Sequence, residues 1–185
     1  MHFIAAAIIS QLMAHHEGQQ NDSKLHIVAK NGTKRLAQYL VDELKVDIEE
    51  KNDQKQTPLH YSTFYNNVEV THFLVERGAS LRARNNLQNT PLHRACFRGN
   101  ASIVELLLQN GACPNVVNEY MDAPIHNAAW KGHPEVIKIL LKYGADPTMR
   151  NKWDNTPLDV VYHYQLGDHL QCAIILNNLD NLDFI

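Results

Sequence analysis

The feature that most constrains this chain is a fixed step of 33 residues. Thr57-Pro58-Leu59-His60 returns as Thr90-Pro91-Leu92-His93, as Ala123-Pro124-Ile125-His126 and as Thr156-Pro157-Leu158-Asp159. Gly78-Ala79, Gly111-Ala112 and Gly144-Ala145 keep the same step, and Val75, Leu108 and Leu141 close apolar runs between the two signals. Each part has a physical reason. Thr accepts a backbone N–H bond at a helix start. Pro is tolerated at the first helical position, where its missing N–H costs nothing. Ile103, Val104, Leu106, Leu107 and Leu108 make a second helix that is apolar over a wide face. Gly111 then stands where a left-handed residue ends such a helix. The unit is therefore helix, turn, helix and extended loop. One unit cannot bury its apolar face alone, so units stack and each touches mainly its neighbours.

The T-P-L-H start, the 33-residue period and the later Gly-Ala turn, recurring in register, resemble ankyrin repeats. A divergent first copy begins at Leu25-His26 and continues through Gly32, Leu36, Tyr39 and Leu40. It carries Ser23-Lys24 in place of Thr-Pro and one inserted residue around Leu44. The last copy has Asp159 for His and loses the Gly-Ala turn, as a terminal cap would. The resemblance implies an all-α ankyrin-repeat solenoid of about five helix-turn-helix repeats with β-hairpin-like loops. The expected repeats are 21–52, 53–85, 86–118, 119–151 and 152–185, within one domain 21–185. Residues 1–20 are expected to form an N-terminal capping helix, with Ile4, Ile8, Leu12 and Met13 on one face and Gly18 at its end. With a degenerate copy on either side of three regular ones, the stack is expected to be complete.

Composition narrows the function. The chain is 44% hydrophobic and 20% charged with net charge -3, which leaves no electrostatic footprint for nucleic acid or acidic lipid. The apolar run Phe3 to Ile9 is too short to span a bilayer, and no Lys or Arg precedes it as in a signal peptide. Cys96, Cys113 and Cys172 form no C-x-x-C pair, which suits reduced thiols in a cytoplasmic or nuclear setting.

Eleven histidines invite a metal or catalytic reading, and their placement answers it. His60, His93 and His126 are the repeat's own, a position that the resemblance makes structural. His15-His16 are adjacent on a helix and point apart. His163 and His169 have no partner at metal-site spacing. There is no G-x-S-x-G elbow and no Gly-rich phosphate loop. No catalytic residue, metal or cofactor is expected. Asn115 resembles ankyrin asparagines that a 2-oxoglutarate oxygenase hydroxylates, but a plain loop asparagine is the favoured reading.

The resemblance places partner binding on the loop tips and the exposed end of each first helix. Those helix ends carry Phe64 and Tyr65, Phe97 and Arg98, then Trp130 and Lys131. The tips carry Leu87, Tyr120 and Trp153. Nothing in a stack needs aromatics there, and Trp, Tyr and Arg are enriched at binding hot spots. A concave strip of these nine residues is therefore expected to bind a helix or extended peptide with apolar and acidic side chains. The expected function is a protein-binding module, monomeric, acting as an adaptor, inhibitor or assembly factor. Two alternatives stand beside it. One is a bacterial effector secreted into a host cell as adaptor or decoy. The other is a ligand-binding protein or enzyme that uses the groove, which a deep pocket with converging polar groups would favour.

Overall fold

The computed structural model describes residues 21–164 and 168–178. The helix expected over residues 1–20 and the tail 179–185 lie outside the described residues. The described part is a ladder of helix pairs: α1 (Lys24–Asn31) with α2 (Lys34–Gln38), α3 (Pro58–Phe64) with α4 (Val68–Glu76), α5 (Pro91–Arg98) with α6 (Ala101–Gln109), α7 (Pro124–Lys131) with α8 (Pro134–Lys142), and α9 (Pro157–Tyr164) with α10 (His169–Asn177). No strand occurs among the described residues. First helices touch first helices along the stack, α1 through α9, and second helices touch second helices, α2 through α10. Leu92, Ile103, Leu107, Ile125, Ile137 and Leu140 are buried between the layers of the later repeats, and Leu25, Leu40, Leu59, Phe73 and Leu74 between those of the earlier ones.

The inserted residue of the first repeat lies after α2. Tyr39–Glu43 forms a π turn, closed by the Leu44 N–H donating to Tyr39 O. Val46 N–H then reaches Leu40 O, six residues back, where Ala79, Ala112 and Ala145 each bond a carbonyl five back. A π turn is how a helix absorbs one extra residue without losing its apolar face.

The repeat histidines hold the stack together. In α3 the His60 Nδ1 accepts the Thr57 N–H at 3.1 Å and meets the Thr57 hydroxyl at 2.9 Å. Its Nε2 lies 3.0 Å from Asn89 O in the next repeat. His93 does the same with Thr90 and Asp122 O, and His26 with Ser23 and Gln56 O. His126 joins the Ala123 N–H to Asn155 O. Each ring must accept at Nδ1 and donate at Nε2, which fixes one neutral tautomer. Burial holds His60 and His93 at about 4, and also lowers His26 and His126. In α9 Asp159 keeps only the capping half of this role, accepting from the Thr156 N–H and hydroxyl at 2.9 and 2.7 Å.

A second ladder runs through the loops. Asn52, Asn85, Asn118 and Asn151 each use Oδ1 to accept two N–H groups, two and four residues ahead. Lys55, Gln88, Met121 and Asp154 take positive φ of 55 to 63° just after the tips. The tips thus turn back hairpin-fashion. Neighbouring loops are joined by single backbone bonds: Asn86 N–H to Gln54 O, Glu119 N–H to Leu87 O, Lys152 N–H to Tyr120 O.

Candidate partner-binding face

The side chains of interest stand on one face, formed by the first-helix ends and the loop tips. The residues that start the second helices set where those ends lie. Asn67 Nδ2 donates to Gly32 O at 2.9 Å and Asn100 Nδ2 to Thr63 O at 2.6 Å. His133 Nε2 lies 3.2 Å from Phe97 O, and His169 Nε2 3.0 Å from Trp130 O. Each clamps the end of the preceding repeat's first helix, the last three at or beside an aromatic position. Gly99 and Gly132 leave the helices with φ of +74° and +69°, and a Cβ there would lie 2.6 Å from the His133 ring and 2.9 Å from the His169 ring. The glycines are the space into which the clamping imidazoles fit.

The aromatic positions form a continuous row. Tyr65 meets Phe64 edge-on with centroids 5.1 Å apart, Phe64 stacks on Phe97 at 6.3 Å, and Phe97 meets Trp130 edge-on at 5.4 Å. Tyr65, Trp130, Arg98 and Lys131 are exposed, whereas Phe64 and Phe97 are half-buried between their neighbours. Cations lie on the ring faces: Arg94 3.8 Å and Arg98 5.0 Å from the Phe64 centroid, Lys30 4.9 Å from Tyr65, and Lys131 bridging Phe97 and Trp130 at 4.6 and 4.4 Å. Such placements are attractive because the ring face is electron-rich. None of the four cations is ion-paired among the described residues, while the second helices carry the pairs Lys34–Glu76, Lys138–Glu135 and Lys142–Glu105. Arg94 is half-buried, its Nε is buried without a hydrogen-bond partner, and desolvation lowers its pKa.

The tips form a second group. Leu87, Tyr120 and Trp153 are exposed, Trp153 at 61%, and Tyr120 stacks on Trp153 with centroids 5.7 Å apart and planes 22° off parallel. Between this pair and Trp130 opens a cavity of about 590 Å³ with Asp122, His126 and Asn155 in its lining, completed by Val160 and His163 of α9. The nine residues expected from the sequence thus fall into two groups on one face, the helix-end row and the tip group, with Trp130 shared through the cavity. Sequence reasoning missed Arg94 and Asp122. Arg94 follows the T-P-L-H signal directly and reads there as an ordinary helix position.

Among the described residues no group of three His, Cys, Asp or Glu is placed to hold a metal ion, and no helix is long and apolar enough to cross a membrane. Both nitrogens of His126 are engaged within the stack, which removes it as a proton carrier for the cavity.

Compared with known proteins, residues 3–85 and 80–151 match a family model described as ankyrin repeats (3 copies). The chain belongs to the ankyrin-repeat family. Ankyrin repeats are general protein–protein interaction modules, and the family is typically non-enzymatic. The chain is also 30% identical over 64 residues to alpha-latrocrustotoxin-Lt1a of Latrodectus tredecimguttatus. That match covers 35% of this chain and spans only 4% of the length of the toxin. The match is about as long as two 33-residue steps.

Proposed function

We propose that the protein is an ankyrin adaptor that docks a segment of a partner protein along the face of first-helix ends and loop tips. One observation carries this reading. A row of aromatic rings crosses three repeats and is dressed by Lys30, Arg94, Arg98 and Lys131, none of which has a carboxylate partner among the described residues. The protein is acidic overall, with net charge -3, so a patch of uncompensated cations is not a by-product of composition. A partner segment with acidic side chains between apolar ones would bury the rings and complete the charges. Tyr65 and Trp130 are suited to anchor it, since large rigid rings lose little conformational entropy on binding.

The test compares affinity capture from cell extract by the unaltered protein, by Arg98→Glu/Lys131→Glu, and by Lys138→Glu on a second helix as control. The face variant should lose its captured proteins and the control should keep them. Equal capture by all three would place the docking surface elsewhere.

A further inference from the structure

The cavity beside Trp130 contains a charge that the fold does not require. The repeat step lines up Gln56, Asn89, Asp122 and Asn155. At Asn89 the amide Oδ1 accepts from Asn118 Nδ2 at 2.9 Å. At Asp122 the carboxylate Oδ1 accepts the equivalent bond from Asn151 Nδ2, also at 2.9 Å. An amide oxygen therefore satisfies the loop ladder, and the charge at Asp122 adds nothing to it. The first repeat has a carboxylate here too, Asp22, but there the Tyr61 hydroxyl donates to it at 2.8 Å. Val160 stands to Asp122 as Tyr61 stands to Asp22, nine residues after the loop asparagine, and has no hydroxyl to donate. Asp122 Oδ2 accepts no hydrogen bond from any described residue. Burial raises the Asp122 pKa, against the Asn151 bond and the nearby His126. Desolvating a carboxylate without completing its partners is unfavourable, so the residue asks for a positive group from outside.

The walls select which positive group. Tyr120, Trp130 and Trp153 present aromatic rings, and neither lysine nor arginine lines the cavity. Its volume of about 590 Å³ falls within the roughly 300–1,000 Å³ of ligand pockets. A guanidinium is planar, weakly hydrated and always charged; it stacks on aromatic faces while bonding a carboxylate in its own plane. The amides of Asn127 and Asn155 supply neutral acceptors for its remaining N–H groups.

We infer that this cavity receives an arginine side chain of the partner, with Asp122 as its counter-ion and Tyr120, Trp130 and Trp153 as its stacking walls. The inference rests on the inner face being where a protein segment docks, and it adds a basic residue to a segment otherwise acidic and apolar.

Both tryptophans of the chain line the cavity, so tryptophan emission reports on it directly. The experiment titrates the full chain with N-acetyl-arginine amide, with the neutral isostere N-acetyl-citrulline amide and with N-acetyl-trimethyllysine amide. The arginine compound should give a saturable change in emission and the citrulline compound should bind at least tenfold more weakly. Asp122→Asn should weaken arginine binding at least tenfold while keeping its far-UV spectrum, because Asn89 shows that an amide fits the ladder. Equal binding of citrulline, unaltered binding by Asp122→Asn, or tighter binding of the trimethylammonium compound would each overturn the assignment. Such a failure leaves the docking face itself intact, because Arg98 and Lys131 do not line the cavity and their capture experiment reads out separately.

Discussion

Lowering the pH from 7.5 to 5 should loosen the stack through two buried histidines. His60 and His93 sit at about 4 in the folded chain against an ordinary 6.5, because burial disfavours the charged ring. The unfolded chain therefore takes up protons first. Stability from these residues is complete above pH 6.5 and declines as the pH falls toward 4. At pH 5 each ring gives up about 2 kcal/mol, so the pair gives up about 4 kcal/mol, against a typical domain stability of about 5–15 kcal/mol. His26 and His126 push the same way. Asp122, raised by burial, gains a little as the pH falls, and the lowered carboxyls of Glu76, Asp146 and Asp159 lose their contributions only at more acidic pH. Urea unfolding followed by far-UV circular dichroism should show the midpoint falling sharply between the two pH values. His93→Gln should remove about 2 kcal/mol of that difference, whatever its own stability. An identical midpoint at pH 7.5 and 5, or an undiminished difference in His93→Gln, would refute the neutral-tautomer ladder.

Three further outcomes follow from local geometry. Gly99→Ala should cost well over 2 kcal/mol, because its Cβ meets the His133 ring in addition to the ~1–2 kcal/mol of left-handed strain, whereas Gly111→Ala meets nothing within 4 Å and should cost only the strain; equal losses in urea unfolding would sink the argument. Asp122→Asn should raise the melting temperature, since it removes a desolvated charge and keeps the Asn151 bond; a lowered melting temperature would mean that the carboxylate has a structural partner. Of the three thiols only Cys113 is exposed, and burial pushes the Cys172 thiol up to about 11 and Cys96 well above its ordinary value. Ellman's reagent should therefore titrate one thiol quickly in the native protein and all three in denaturant.

The repeat unit was legible because a 33-residue step fixes local and neighbour contacts at once: the same Thr, His and Asn positions make the same bonds in successive units. The inserted residue was legible too, since Leu25 to Leu59 is one residue too long, although the π turn that absorbs it was not. Arg94 escaped because its guanidinium acts on Phe64, thirty positions earlier, and stacking alone brings them together. Asp122 escaped for a different reason. Its signal was a carboxylate in a column of amides, Gln56, Asn89 and Asn155, and that column gains meaning only once the loop ladder shows what the position must do. Within the strip Phe64 and Phe97 are half-buried, and the exposed apolar surface is concentrated at Tyr65, Trp130 and the tips.

The loop asparagines have a consequence for how such a protein can change. Asn52, Asn85, Asn118 and Asn151 hold each tip by accepting backbone N–H groups, and the residue two places on, which is Gln54, Leu87, Tyr120 or Trp153 in turn, enters that hold through its backbone N–H whatever its side chain. The four side chains range from an amide to an indole on the same scaffold of bonds. Tips can therefore be exchanged between units, or rewritten, with the spine indifferent to the swap: a vocabulary of contacts written on an unchanging syntax.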